Sequence, residues 1–257
     1  MKIMFLSQSP RRPDDPKHES VQALLRSYAS ATTQLDLCYP DNFPGARVFE
    51  AMGEQNILTG LHHALETPQL VKKIVWAEET GYDAVVQSNT FDPGVEAARL
   101  AVRLPVIGVF RTSLHVAATL ATRIAVMVPL DGHVPYTWRL LKSYGMESWV
   151  SDVRPIQVYG TNLHPRKDEI QDLATSVMRS QVSETGAEII IPLGGALIPY
   201  VVSPAELEVD VGVPVINTKS VGIRFAEMCV DLAMSQSPAA YPTARLSLTD
   251  FDAYATF

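Results

Sequence analysis

The chain has 257 residues, with 21 Lys and Arg against 28 Asp and Glu for a formal net charge of −7. That balance argues against a polyanion-binding protein, so nucleic acid is not an expected partner. Hydrophobic residues at 47% and charged residues at 19% exclude the disordered, collagen-like and disulfide-stapled classes.

Cys38 and Cys229 are too few and too far apart for a disulfide framework or a zinc cluster, and they fit a reducing, cytoplasmic setting. The longest uncharged apolar stretch, residues 189–202, contains Pro192, Gly194, Gly195 and Pro199. It falls short of the roughly 18 to 20 residues that a spanning helix needs, so no membrane partner is expected. The apolar run at residues 3–6 is shorter than a secretory core of about 7 to 15 residues and reads instead as a first strand.

Strand-length apolar runs bounded by turn residues occur at 3–6, 34–38, 83–86, 105–109, 124–128, 188–192 and 214–216. They are signatures of buried strands. Amphipathic stretches at 21–31, 69–79, 95–102, 135–144, 168–184 and 221–233 predict the helices. Alternation of the two predicts an α/β fold with parallel sheets covered on both faces.

A weak repeat divides the chain. Glu79-Thr80-Gly81 leads into one strand and Glu184-Thr185-Gly186 into another, and each is followed at a similar distance by a strand beginning Pro105-Val106-Ile107 or Pro214-Val215-Ile216. Turn chemistry common to βαβ units is the alternative source of this repeat. The repeat predicts two similar lobes with flavodoxin- or Rossmann-like sheets, 1–113 plus 218–257 and 114–217, with the tail 235–257 as a surface-packed extension. Ligands bind beyond the carboxyl ends of parallel strands. An inter-lobe active-site cleft is therefore expected, bordered by Ser7-Gln8-Ser9, Ser88-Asn89-Thr90, Gly194-Gly195-Ala196 and Thr218-Lys219.

At these turns the chain resembles the aspartate/glutamate/hydantoin racemase superfamily, closest to its hydantoin racemase branch. The resemblance rests on residues 81–86 (GYDAVV), 91–99 (FDPGVEAAR), 105–108 (PVIG), 193–196 (LGGA) and 212–216 (GVPVI). It covers nearly the whole chain in the expected order. The Asp-Pro-Gly before an acidic helix start is its most specific part. The resemblance implies a cofactor-independent enzyme that inverts a carbon acid with two thiols, one on each face of the substrate. Here the first thiol position falls at Asn89, or at Ser88 with a one-residue insertion, and the second at Gly195. An amide is no general base and glycine has no side chain, so two-thiol racemisation cannot operate at these positions. The resemblance also includes decarboxylases that hold a carboxylate in a donor cluster and stabilise an enediolate, keeping one Cys that this chain also lacks.

The candidates divide by chemistry. Asn89 and Thr90 lie directly after a buried strand, although turn chemistry alone explains such residues. Ser7, Gln8, Ser9 and Ser88 supply further donors, and Gly194, Gly195 and Ala196 offer either close backbone approach or a plain tight turn. Arg111 suits a bidentate carboxylate clamp or a solvated helix start. Lys219 suits a base or a carboxylate partner, with Thr218 beside it. Tyr200, His133 and Tyr136 reach the cleft only from loops. His62 and His63, adjacent on a helix, are expected to diverge and cannot form an i, i+4 metal pair, so no metal is expected. Asp92 reads as a helix cap before Pro93.

The first expectation is a lyase, decarboxylase or isomerase acting on a small carboxylate or cyclic imide-like substrate through a stabilised enolate. Hydrolysis of a cyclic amide or ester, and non-catalytic binding of a small anion, are the alternatives. A homo-oligomer is compatible with the sequence.

Overall fold

The apolar run after Met1 forms β1 (Lys2–Leu6), its last four residues buried. The computed structural model describes residues 1–8, 17–55, 57–160, 163–194, 197–243 and 247–250. They divide into two units: Met1–Ala46, His62–Val109 and the chain from Gly222 onward form the first, and Arg47–Leu61 with Phe110–Val221 the second.

In the first unit, α1 (His18–Tyr28) follows β1 and leads to β2 (Gln34–Cys38). The chain then passes through α2 (Ala46–Glu54) and returns in α3 (Leu61–Glu79), β3 (Ala84–Gln87), α4 (Val95–Arg99) and β4 (Val106–Gly108). The four strands are parallel in the order β2-β1-β3-β4. β3 and β4 are buried throughout, as strands covered on both faces must be, which is why they read as unbroken apolar runs. Met4, Leu6 and Val85 share one core with Leu70 and Ile74 of α3 and Ala98 of α4. The repeat at every second strand residue and every fourth helix residue puts these side chains on facing surfaces.

α3 begins eight residues before the expected start at Gln69 and carries Pro68 inside it. An interior proline costs about 3 kcal/mol. Leu70 and Ile74 are fully buried, and each contributes about 1.5–3 kcal/mol relative to exposure. Packing on this face offsets the break.

The second unit contains α5 (Val109–Leu120), β5 (Ile124–Val128), α6 (His133–Tyr144), β6 (Val150–Pro155), α7 (Lys167–Thr185), β7 (Ile189–Pro192) and α8 (Pro204–Val211). The helix α9 (Thr218–Asp231) carries the chain back to the first unit. Its strands are parallel in the order β6-β5-β7. Residues 214–216, expected as a strand, make a single parallel bridge, Val215 to Ile190. The bridge lies beside β7 as β4 lies beside β3, so both Pro-Val-Ile segments take equivalent places in two sheets of matching order. Residues 47–61, which the repeat assigned to the first lobe, belong to this unit because Val48, Phe49, Met52 and Leu58 pack on Leu130 and Tyr159.

Candidate functional site

A sheet ordered β2-β1-β3-β4 reverses its winding between β1 and β3, where doubly wound folds bind ligands. Ser7 and Gln8 leave β1 at this point, and Ser88, Asn89 and Thr90 leave β3. Backbone bonds tie the turns to neighbouring strands: Ser7 N donates to the Cys38 carbonyl at 2.8 Å and Ser88 N to that of Leu6 at 2.9 Å. The five residues thus sit on one edge of the first unit. Asn89 Oδ1 accepts from Phe91 N at 2.8 Å, and Asn89 N donates to Gln87 Oε1 at 2.8 Å. This is the turn chemistry anticipated for Asn89, and its amide nitrogen makes no hydrogen bond to a described residue. Thr90 is buried.

Two residues that the sequence reading passed over stand beneath these turns. Glu66 of α3 is 1% exposed and Gln87, the last residue of β3, is 0% exposed. Neither carboxylate oxygen of Glu66, nor Gln87 Nε2, has a hydrogen-bond partner among the described residues. Burial pushes the Glu66 carboxyl up to about 8, with the nearby Gln8 side chain opposing. Strand alternation puts Gln87 on the face of Val85, and helix periodicity puts Glu66 one turn before Leu70, so both cap the apolar core shared by Val85 and Leu70. The helix expected from sequence begins at Gln69, so Glu66 falls outside the stretch read as amphipathic.

The two histidines of α3 do not diverge. His62 and His63 have ring centroids 4.0 Å apart and both are buried, and His63 packs 5.5 Å from the Phe91 ring. Burial pushes the His62 ring down to about 4, leaving it neutral at physiological pH. Asp92 is not the cap of α4, whose N-cap is Gly94 without a side-chain bond. It is buried, has φ +50°, and places its carboxylate against Gly108.

In the second unit, Gly194 and Tyr200 lie in the turns after β7, and Thr218 and Lys219 follow the bridge at Val215. Gly194 has φ +95°, and a β-carbon there would lie 2.6 Å from Pro129 Cγ. Close packing of two turns therefore accounts for this glycine. Thr218 and Lys219 are buried. Asn217 Oδ1 accepts from the backbone of Lys219 at 3.1 Å and Ser220 at 3.2 Å, capping α9 and fixing where Lys219 leaves the backbone. Arg111, in the first turn of α5 directly after β4, lies 5.4 Å over the Tyr144 ring. His133 Nδ1 accepts from Leu130 N at 3.3 Å, a loop-closing role, and Tyr136 packs against Gly60. Ser9, Gly195 and Ala196 lie outside the described residues.

Both thiols are engaged in packing. Cys38 Sγ lies 3.7 Å from the Tyr82 hydroxyl and Cys229 is buried in α9. Burial raises both above the ordinary thiol range. Among the described residues, no group of three His, Cys, Asp or Glu side chains could hold a metal, and no helix is long and apolar enough to cross a membrane.

Two parallel α/β sheets of matching order, with polar turns at a winding reversal, define a duplicated doubly wound protein. Residues 19–226 match the Asp/Glu/Hydantoin racemase family, and the chain belongs to it, as an enzyme of that superfamily in its hydantoin racemase branch. It is 33% identical over 188 residues to the hydantoin racemase of Pseudomonas sp. (strain NS671), covering 72% of this chain and 74% of that one. Allantoin racemase from Pseudomonas fluorescens has the same fold, with a TM-score of 0.81 at 20% identity over 96% of this chain and 98% of that one. Arylmalonate decarboxylase is more distant in fold, with a TM-score of 0.55 at 16% identity over 93% and 97%.

Proposed function

We propose that the protein acts on a small carboxylate or cyclic imide-like substrate through a stabilised enolate, by isomerase, lyase or decarboxylase chemistry that uses no thiol pair. The observation that carries this reading is the chemistry of the first sheet's carboxyl edge. It presents hydroxyls and amides at Ser7, Gln8, Ser88, Asn89 and Thr90, while Cys38 and Cys229 are turned into packing with raised pKa. Donors of this kind stabilise an oxyanion and cannot remove a carbon-bound proton. The names of the relatives support carbon acids next to a carbonyl as the substrate class. Asn89 (or Ser88) and Gly195 stand where the resemblance puts the thiols. We assign Asn89, Thr90, Lys219 and Tyr200 to the reacting region, and Arg111, Gly194, Gly195, Ala196 and Thr218, with the first-sheet turns, to binding.

The test uses a panel of 5-monosubstituted hydantoins, allantoin and arylmalonates, followed by NMR in heavy water for exchange or replacement at the carbon acid. Wild type and the Cys38→Ala/Cys229→Ala double variant should turn over the same substrate at rates within about threefold. Loss of turnover in the double variant, with its fold intact, would overturn the thiol-free reading.

A further inference from the structure

We propose that Glu66 is the group that carries the proton to and from the substrate carbon, with the Gln87 side-chain amide as the donor to the substrate's carbonyl oxygen. The proposal rests on the enolate reading above and supplies the proton carrier that reading lacks.

Three observations converge on it. Glu66 is 1% exposed, yet neither of its oxygens is bonded to a described residue. A buried carboxyl with so little among the described residues to satisfy it is costly, which calls for an explanation other than packing, since a leucine or glutamine would serve the helix face better. The second orphan, Gln87 Nε2, projects from the same face of the sheet, and its own Oε1 is held by Asn89 N at 2.8 Å, which orients the amide toward the turn that ends β3. Third, the side chain that opposes the burial shift of Glu66 by hydrogen bonding is that of Gln8, which leaves β1 at the winding reversal. A carboxyl and an amide donor, neither with a geometric hydrogen-bond partner among the described residues, thus lie at the edge where such folds take their ligands.

The step balances within the site. The Glu66 carboxylate oxygen takes the proton from the carbon acid. The C–H electron pair moves onto the adjacent carbonyl oxygen, forming an enolate that accepts a hydrogen bond from Gln87 Nε2. Return of a proton from the same carboxyl to carbon regenerates carboxylate and carbonyl. Burial raises the group far enough that acid and base forms coexist near neutral pH, the condition under which one side chain serves in both directions. His62, one turn earlier on α3, is neutral in the same range and leaves the carboxyl's charge uncompensated from that side.

The experiment follows proton exchange at C5 of 5-benzylhydantoin in heavy water by NMR, using the full chain, Glu66→Gln and Glu66→Asp. Glu66→Gln keeps the shape and removes the ionisable group. Its kcat for exchange should fall by about 10²- to 10⁴-fold, with KM little changed and the far-ultraviolet dichroism of wild type. Glu66→Asp should recover at least about tenfold of the loss. Exchange by Glu66→Gln at the wild-type rate would overturn the assignment and leave the enolate reading standing. An equal loss in Glu66→Asp and Glu66→Gln, both folded, would overturn it in favour of a packing role. Absence of exchange or replacement in wild type across the whole panel would remove the enolate reading and this assignment with it.

Discussion

Asp92 and Gly108 are fitted to each other so closely that a β-carbon on residue 108 would lie 2.6 Å from Asp92 Cγ. The aspartate cannot easily retreat: its N–H donates to the Asn89 carbonyl at 3.1 Å, its carbonyl accepts from Val95 N at 3.3 Å, and its φ is +50°. Gly108→Ala should therefore cost about 1–3 kcal/mol as an overpacking change. In the double variant with Asp92→Ala the losses should be less than additive, because the clash partner is gone. Urea unfolding of the four proteins checks this; additive losses, or a Gly108→Ala variant as stable as wild type, would refute it.

Glu66 makes stability depend on pH in the direction opposite to most carboxylates. Its folded pKa, about 8, lies above the ordinary 4.5. Below pH 4.5 both folded and unfolded chains hold the proton and nothing is lost. Between 4.5 and 8 only the unfolded chain releases it, so folding stability falls as pH rises, by at most about 5 kcal/mol. The Gln8 side chain after β1 acts on the carboxyl against burial, and His62 lies one turn earlier on the same helix. Pushed down to about 4, His62 does not titrate between 4.5 and 8 in the folded chain. Glu66→Gln should melt higher than wild type at pH 8.5, and the gap should close by pH 4.5. A gap that is constant with pH would sink the claim.

Glu227 shows the usual sign. It is 4% exposed and accepts from Thr33 Oγ1 at 2.6 Å, Ser30 N at 2.7 Å and Arg224 Nη1 at 2.9 Å. Burial raises its pKa, but these bonds outweigh burial and hold it below the ordinary value. Its stabilisation is present above the unfolded pKa and is lost as pH falls through the folded one. Glu227→Ala should cost about 1–3 kcal/mol, because the Ser30 N–H and hydroxyl and the Thr33 hydroxyl lose their acceptor. Thermal melts at pH 7 and pH 3 should show the variant's deficit shrinking in acid.

Asn217 caps α9 through two backbone N–H groups. Asn217→Ala should cost about 1 kcal/mol, whereas Asn217→Ser should cost a few tenths. Guanidinium titration separates the two; equal effects would mean that the cap bonds contribute little.

The thiols should be slow. With burial raising both cysteines, iodoacetamide at pH 7 should label the native chain well below the rate of free glutathione, and labelling should accelerate on unfolding in urea. Rapid labelling of one native thiol would reopen a role for it in catalysis.

Much of the sheet architecture was legible because buried parallel strands are continuous apolar runs: Gln34–Cys38 and Ile124–Val128 coincide with expectation residue for residue. β6 was missed because it is an edge strand that mixes polar Ser151, Asp152 and Arg154 with two buried residues, Val150 and Val153. α5 was missed because its first residue was taken into the strand read at 105–109 and Arg111, Thr112, Ser113 and His115 interrupt its apolar residues. The turns at Ser7, Ser88 and Asn89 could be located from the strand ends. Glu66 could not, because its significance comes from what surrounds it, and a lone glutamate between Leu65 and Thr67 looks solvated until the helix is seen to bury that face.

The division of the chain bears on the order in which the molecule can be made. The second unit is inserted into the first, and the acceptor that Ser30 and Thr33 require, Glu227, lies 197 and 194 positions downstream. A ribosome delivers all four strands of the first sheet before any strand of the second. Yet the nascent first sheet must wait, with the loop at Ser30 to Thr33 unsatisfied, until the second unit has been synthesised and α9 emerges. The body that starts first therefore finishes last, and a chaperone or a stalled ribosome would meet it as a sheet without its closing helix.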